Sequence, residues 1–377
     1  MIAEVIVDIA HSEVDRIFDY VCEDGVLPGM RVTVPFGRSV TTGFVMHVKE
    51  RSELAPEKLK RVLRVLDEQP ALNAECLALS EKLARRYRCP KALVLRLFLP
   101  AEMRTGKVSE RMKSVVSLAG DPDLIPPRAR RQRELAAFLQ EHGEADLTAL
   151  REAFGSAVKG LEERGMLTIE KRRVFRDPYE SLKQAAPLRP LTPAQKDAVH
   201  TIETTQKTVT LIHGVTGSGK TEIYLTLIAH ALEAGKSAVF LVPEISLTPQ
   251  MFSQLRARFG ANCAILHSGL SAGERFDEWE RLRSGEARIA IGARSAVFAP
   301  LENIGVIVID EEHDGSYSSE SSPRYNTFDI AYLRAKHNGC KLVLGSATPS
   351  VETYRRAKQG EFELITLPER INRRPMP

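Results

Sequence analysis

From Ala3 to about Met103, apolar and polar residues alternate in short runs, as at Arg31-Val32-Thr33-Val34 and Gly43 to Val48. That period of two is what a half-buried strand imposes. Pro28-Gly29 and Phe36-Gly37 bound the runs as turns. The rhythm then changes. Between Ala74 and Arg86, Cys76, Leu77, Leu79 and Leu83 recur at helical spacing, and Arg85-Arg86 set cations at the carbonyl pole of that helix. The pattern predicts one small, β-rich α+β domain over residues 1–105.

Three prolines in the eight residues Gly120 to Pro127 mark a connection, because neither a helix nor a central strand tolerates them. Helical patterns follow at Arg130 to Glu141, with Leu135, Phe138 and Leu139 on one face, at Leu147 to Phe154, and at Ser156 to Arg164; Gly143 and Gly155 separate them. Met166 to Ile169 and Arg173 to Phe175, flanking Lys171-Arg172, predict a hairpin. Three helices followed by a hairpin is the order of a winged helix, here over residues 106–180. Only Lys159 and Arg164 are cationic on its last helix, so DNA contact and a purely structural adaptor both remain open. Residues 181–190, with Pro187 and Pro190, read as a linker.

From Leu191 onward, apolar runs alternate with longer helical segments, the α/β signature. Val209 to Ile212, Ser237 to Val242, Cys263 to Leu266, Ile289 to Ile291, Val306 to Ile309 and Leu342 to Leu344 predict six buried parallel strands in one sheet. No solenoid repeat or low-complexity tract interrupts them.

Composition adds exclusions. Hydrophobic residues make up 43% and charged residues 27% of 377, too apolar for a disordered chain. The net charge is only +4, so affinity for nucleic acid must come from local patches. Five dispersed cysteines with no C-x-x-C pair argue against a disulfide framework and against a cysteine zinc site within this sequence. The start, Met1 to Asp8, lacks a basic leader, and no apolar run approaches the roughly 18 residues of a membrane span. A cytoplasmic protein without membrane partners is expected.

Gly214-Val215-Thr216-Gly217-Ser218-Gly219-Lys220-Thr221 fits G-x-x-x-x-G-K-[ST] between a strand and a helix. In that context the amides around Gly217, Ser218 and Gly219 cradle phosphates, Lys220 reaches the β and γ groups of ATP, and Thr221 holds Mg²⁺. Ninety residues on, Ile307-Val308-Ile309-Asp310-Glu311-Glu312-His313 is an apolar strand ending in acids. Asp310 is the candidate Mg²⁺ ligand and Glu311 the residue that orients the attacking water. His313 either senses the nucleotide site or caps a turn.

These residues resemble superfamily 2 helicases. Asp310 to His313 has the form of motif II, and Gly345-Ser346-Ala347-Thr348-Pro349 that of motif III, which implies a coupling role for Ser346 and Thr348 beside His313. The resemblance places an adenine-reading role on Gln195 and makes Pro243 to Gln250 and Gly292 to Ala296, with Arg294, the segments that touch the phosphates of a tracked strand. The runs VPEISLTPQM, LHSGLS, GARSAVFAP, VIVIDEEHD and SSPRYNTFDIA are more closely similar to the PriA family of primosomal replication-restart helicases. The fold this implies is a RecA-like P-loop lobe over residues 191–377, preceded by a DNA-end-binding domain and a winged helix.

Arg16 to Tyr20, Val34 to Gly37 and Leu59 to Val62 resemble that family's domain for the 3′ end of a nascent strand, which carries its pocket onto Phe18, Asp19, Gly37 and Lys60. A glycine admits a ribose closely, an acid accepts from a hydroxyl or base, and a lysine meets phosphate. Without the resemblance, Phe18 reads as core and Gly37 as a turn. The stretch Gly315 to Asn326 is similar to an aromatic-rich loop, implying stacking and cation–π contact with single-stranded DNA by Tyr317, Arg324 and Tyr325; otherwise it reads as a surface loop. Ser318 stands where many relatives keep a lysine.

The family continues past motif III into a zinc-binding insert and a second motor lobe, neither found in residues 350–377. The zinc site is thus expected outside this sequence, and slow hydrolysis is expected of these residues alone. The activity implied is ATP-dependent 3′-to-5′ unwinding at stalled forks and initiation of primosome assembly by a monomer, in the bacterial cytoplasm near the nucleoid. Forked and single-stranded DNA, single-stranded DNA-binding protein and primosome components are the implied partners. Two alternatives stand beside it: a fork- and end-binding module without turnover, and another superfamily 2 fork-processing translocase.

Overall fold

The computed structural model describes residues 1–105, 111–176 and 190–371. The chain forms two compact units, one drawn from its two ends and one from its middle, Val108–Asp177.

The first unit opens with β1 (Ile2–Val7), β2 (Ile17–Val21), β3 (Arg31–Phe36), β4 (Ser39–Lys49), β5 (Lys60–Arg61) and β6 (Arg64–Val65), in one sheet of order β5-β2-β1-β4-β3-β6. The period of two is realised as expected. Ala3, Val5 and Val7 of β1 bury against Val32, Val34 and Val45, whereas Ile6, Phe44 and Met46 face a separate cluster beneath the helices. Those helices are α1 (Ala74–Tyr87), α2 (Lys91–Leu97) and α3 (Ala101–Thr105). The Asn73 side chain caps α1 by accepting from the Cys76 N–H at 2.9 Å, and Arg88, at φ 48°, ends it in the left-handed region. Cys76, Leu79 and Leu83 are its buried stripe; Leu77 lies at the rim.

The middle unit comprises β7 (Met112–Leu118), α4 (Arg130–His142), β8 (Glu144–Asp146), α5 (Leu147–Phe154), α6 (Ser156–Glu162) and β9 (Leu167–Arg173). Three helices form as expected, around Leu135, Leu139, Leu150, Val158 and Leu161. The expected hairpin does not. Lys171 and Arg172 lie within β9, which runs straight and pairs with β7 from Leu118↔Leu167 to Met112↔Arg173. No glycine or asparagine stands at Lys171-Arg172 to take the positive φ of a tight turn, and β7, over residues to which the sequence pattern assigns no element, supplies the partner instead.

The remainder of the first unit is the α/β lobe. It contains α7 (Pro193–Thr204), β10 (Val209–Gly214), α8 (Lys220–Glu233), β11 (Ser237–Leu241), α9 (Pro249–Phe259), β12 (Cys263–Leu266), α10 (Ala272–Ser284), β13 (Ile289–Gly292), β14 (Ile304–Ile309), α11 (Thr327–Asn338), β15 (Lys341–Ser346), α12 (Val351–Lys358) and β16 (Glu363–Leu367). The sheet is parallel, of order β12-β13-β11-β14-β15-β10-β16. Its strands are apolar on both faces because helices cover both. Val306 and Val308 of β14 bury with α7, α8 and α9, while Ile307 and Ile309 bury with α10 and α11. The seventh strand, β16, was not expected: ELITL carries an acid and a threonine and lies half-exposed at the sheet edge.

One buried cluster runs through the N-terminal domain and the lobe, joining Leu79, Leu83 and Phe98 to Trp279, Ile330 and Leu342. At its centre the fully buried Arg334 of α11 donates to both carboxylate oxygens of Glu75 in α1, at 2.8 and 3.0 Å. It also donates to the carbonyls of Val297, Ala299 and Leu301. Trp279 Nε1 donates to the Phe98 carbonyl at 3.0 Å. The N-terminal domain read over residues 1–105 and the lobe read over 191–377 are therefore two sequence patterns that share one core. No helix among the described residues is long and apolar enough to cross a membrane.

Candidate functional site

Strand β10 delivers Gly214 to the sheet's carboxyl edge, and the loop after it turns into α8 at Lys220. Gly217 and Gly219 take φ of +83° and +81°, conformations that side chains rarely adopt. Space matters as well: a Cβ on Gly219 would lie 2.2 Å from Gln195 Nε2. Gln195 is buried. Its Oε1 accepts from the Thr192 N–H at 2.8 Å, closing the capping box of α7, and its Nε2 donates to the Gly219 carbonyl at 3.1 Å. Gln195 thus braces the loop from behind. Lys220 Nζ donates to the Gly214 carbonyl at 2.8 Å, Ser218 Oγ is buried with no partner among the described residues, and Thr221 is exposed on the first turn of α8. Gly219→Ala is expected to weaken nucleotide binding about tenfold or more in a fluorescent-nucleotide titration, because the left-handed conformation alone costs a side chain about 1–2 kcal/mol.

Strand β14 carries Asp310 to the same edge. Burial and the neighbouring Glu311 push its carboxyl up to about 6, against the pull of a Tyr224 hydrogen bond and the Lys220 charge. Tyr224 is fully buried and its hydroxyl donates to Asp310 Oδ1 at 3.1 Å. Glu311 has φ of +44°, a strained conformation for a non-glycine residue. A half-buried carboxyl short of counter-charge, a second carboxyl beside it, an unpartnered hydroxyl and a lysine form a donor set that fits a magnesium nucleotide.

The structure brings the motif II and motif III candidates together. His313 Nδ1 lies 2.8 Å from Ser346 Oγ and 3.7 Å from Glu311 Oε2, and Nε2 lies 3.4 Å from Thr348 Oγ1. Glu312, given no separate role in the sequence reading, caps α12 by accepting from the Ser350 N–H at 2.7 Å and the Thr353 hydroxyl at 3.1 Å.

The aromatic loop differs from expectation. Tyr317 and Tyr325 are only 4% and 6% exposed, so neither ring offers a face to a base in this conformation. Apolar burial wins because both rings complete the cluster under α11, Tyr325 packing edge-on against Phe298 at 5.0 Å. The Tyr317 hydroxyl instead donates to the Asp310 carbonyl at 2.7 Å. Arg294 donates to the Ser316 and Ser318 carbonyls and lies 5.7 Å from the Tyr325 ring centre. Arg324 remains exposed, its Nε donating to the Glu320 carbonyl at 3.2 Å. Arg294, Ser316 and Tyr325 line a crevice of about 850 Å³ shared with Phe98, Pro100 and Glu244.

Phe18, Asp19, Gly37 and Lys60 line a second crevice, of about 620 Å³, on the N-terminal sheet. Strand β2 supplies Phe18 and Asp19, β5 supplies Lys60 beside Tyr20, and Gly37 forms the β3–β4 turn with φ of +58° and open space where a Cβ would stand. Phe18 meets Phe36 edge-on at 5.2 Å, under the Arg16 guanidinium. Asp19 accepts from the Ser52 hydroxyl and from Lys49 Nζ at 3.1 Å, so its carboxylate is held in place. Arg16, Lys49, Lys58 and Lys60 outnumber Asp19 and Glu53 around the opening. Sequence reasoning missed Tyr224, Glu75 and Arg334: the first two read as ordinary helix residues, and only Arg334, an arginine on an apolar helix face, carried a signal.

Residues 4–100 match the profile of a PriA 3'DNA-binding domain (3'BD), and residues 192–357 that of a DEAD/DEAH box helicase. The replication restart protein PriA of Bacillus subtilis is 37% identical, over 100% of this chain and 56% of that protein. The PriA of Synechocystis is 42% identical over 65% of this chain and 31% of its own length, and that of Haemophilus influenzae 34% identical over 94% and 50%. The chain spans about half the length of these relatives. An end-binding domain and a helicase lobe on one core, matched by relatives along its whole length, place the chain in the PriA family of replication restart proteins.

Proposed function

We propose that this chain is the fork-recognising, ATP-binding part of an ATP-dependent 3′-to-5′ DNA helicase that restarts replication. The observation that carries the reading is the junction at the sheet's carboxyl edge, where Lys220, Asp310 and Glu311 meet His313, Ser346 and Thr348. Lys220, Thr221 and the amides of Gly217, Ser218 and Gly219 hold the phosphates, and Gln195, the adenine-reading candidate, braces the loop through the Gly219 carbonyl. Thr221 and Asp310 hold Mg²⁺, which supplies charge neutralisation at the β and γ phosphates. Glu311 orients water and accepts its proton. His313 reports the state of Glu311, 3.7 Å away, to Ser346 and Thr348 through its hydrogen bonds to their hydroxyls.

The N-terminal crevice takes the 3′ end of a nascent strand: Gly37 leaves room for the ribose, Asp19 accepts from its hydroxyl, Lys60 meets phosphate and Phe18 forms an apolar wall. Arg294 and Arg324 contact the backbone of the tracked strand, with Tyr317 and Tyr325 as buried supports of that loop. Forked DNA, single-stranded DNA-binding protein and primosome components are the partners of the monomer in the bacterial cytoplasm, and the family's zinc site lies outside these residues. The test is fork unwinding by a family-length protein carrying this chain with Glu311→Gln. ATP binding should persist while turnover and unwinding fall at least about 100-fold, the loss typical of a missing general base. Unwinding at the parent rate would refute the assignment.

A further inference from the structure

Tyr224 stands one turn beyond Thr221 on α8, wholly buried between three motifs. Its hydroxyl donates to Asp310 Oδ1 at 3.1 Å. A Cβ on Gly345 of motif III would lie 1.5 Å from that hydroxyl and 3.4 Å from Asp310 Oδ1, so the glycine is what admits the tyrosine to the acid. The ring is fixed by packing, with Phe240 at 5.8 Å. A hydroxyl has one proton to donate, and giving it to Oδ1 helps orient the carboxylate, which also accepts from the Glu311 backbone N–H. Tyr317 holds the backbone carbonyl of the same aspartate at 2.7 Å, which leaves the carboxylate torsions as its remaining freedom.

We propose that Tyr224 is a positioning residue for magnesium, its hydroxyl orienting the Asp310 carboxylate toward the cation that accompanies the nucleotide; this rests on the nucleotide-site reading above. The competing account is a buried hydroxyl that merely takes the nearest acceptor, as buried tyrosines do. Tyr224→Phe keeps the ring and removes only the proton donor, so it separates the two.

The experiment titrates the full chain with a fluorescent ADP at fixed Mn²⁺ or Mg²⁺ concentrations and without metal, for the parent, Tyr224→Phe, Asp310→Asn and the double variant. Loss of an orienting partner typically weakens metal affinity about 10–100-fold, so the metal concentration giving half of the nucleotide-binding gain should rise about tenfold in Tyr224→Phe, with metal-free affinity unchanged. In the Asp310→Asn background, adding Tyr224→Phe should change nothing further. An unchanged metal requirement in Tyr224→Phe, or the same loss with and without Asp310, would overturn the proposal. If metal does not strengthen nucleotide binding even in the parent, the proposal falls together with the reading it rests on.

Discussion

Replacing Arg334 by methionine should destabilise the first unit by about 3–5 kcal/mol, the usual penalty for removing one partner of a buried ion pair. The guanidinium is 0% exposed and Glu75 only 6%. Without it, a carboxylate is left buried and the carbonyls of Val297, Ala299 and Leu301 lose a donor. The double variant Glu75→Met, Arg334→Met should recover part of the loss, because it removes the stranded charge as well. Urea-unfolding midpoints of the parent, the single and the double variant would check both statements; a single-variant loss below about 1 kcal/mol would show that the pair is not what joins the two parts. The joint also bears on function. Val297 lies in the segment that begins at Arg294, so the arginine ties the end-binding domain to a proposed strand-contacting loop.

Lys220→Ala should cost about 10–100-fold in ATP affinity, since charge-assisted hydrogen bonds contribute about 1.5–3 kcal/mol each. In a family-length protein carrying this chain it should abolish unwinding. Lys220 is 7% exposed and confined by the loop, with Nζ 2.8 Å from the Gly214 carbonyl. Arginine should not replace it, because a planar fork does not fit a site built for a compact ammonium. Isothermal titration with ATP and Mg²⁺ measures the effect, and an unchanged unfolding midpoint would show that the loss is local. Equal ATP affinity in Lys220→Ala would contradict the assignment of the loop.

The nucleotide residues were legible in the sequence because their chemistry needs a contiguous loop and a strand-end acid, and both leave short, dense patterns. The sheet was legible for the same reason at a larger scale: strands buried on both faces write unbroken apolar runs. Strand β16 escaped because an edge strand is half-exposed and its polar residues break the run. The wing hairpin was misread because Met166 to Ile169 and Arg173 to Phe175 carry strand patterns without naming their partner; pairing is decided by Met112–Leu118, far away in sequence. The stacking role of Tyr317 and Tyr325 follows from the resemblance of their loop to the family's aromatic-rich loop, yet ring burial against Phe298 and α11 outweighs it in this conformation. The end pocket is the opposite case. Phe18, Asp19, Gly37 and Lys60 are scattered over two strands and a turn, so only the family resemblance picks them out, and the structure places all four on one crevice.

The most direct test of the central claim is the fluorescence-anisotropy affinity of this chain for forked DNA whose nascent strand ends in a 3′-hydroxyl or a 3′-phosphate, at several salt concentrations. Both should weaken as salt releases counterions. The hydroxyl end should bind more tightly at every salt, because a 3′-phosphate brings about two further negative charges toward the Asp19 carboxylate and fills the space left at Gly37. Equal affinity for the two ends would contradict the account.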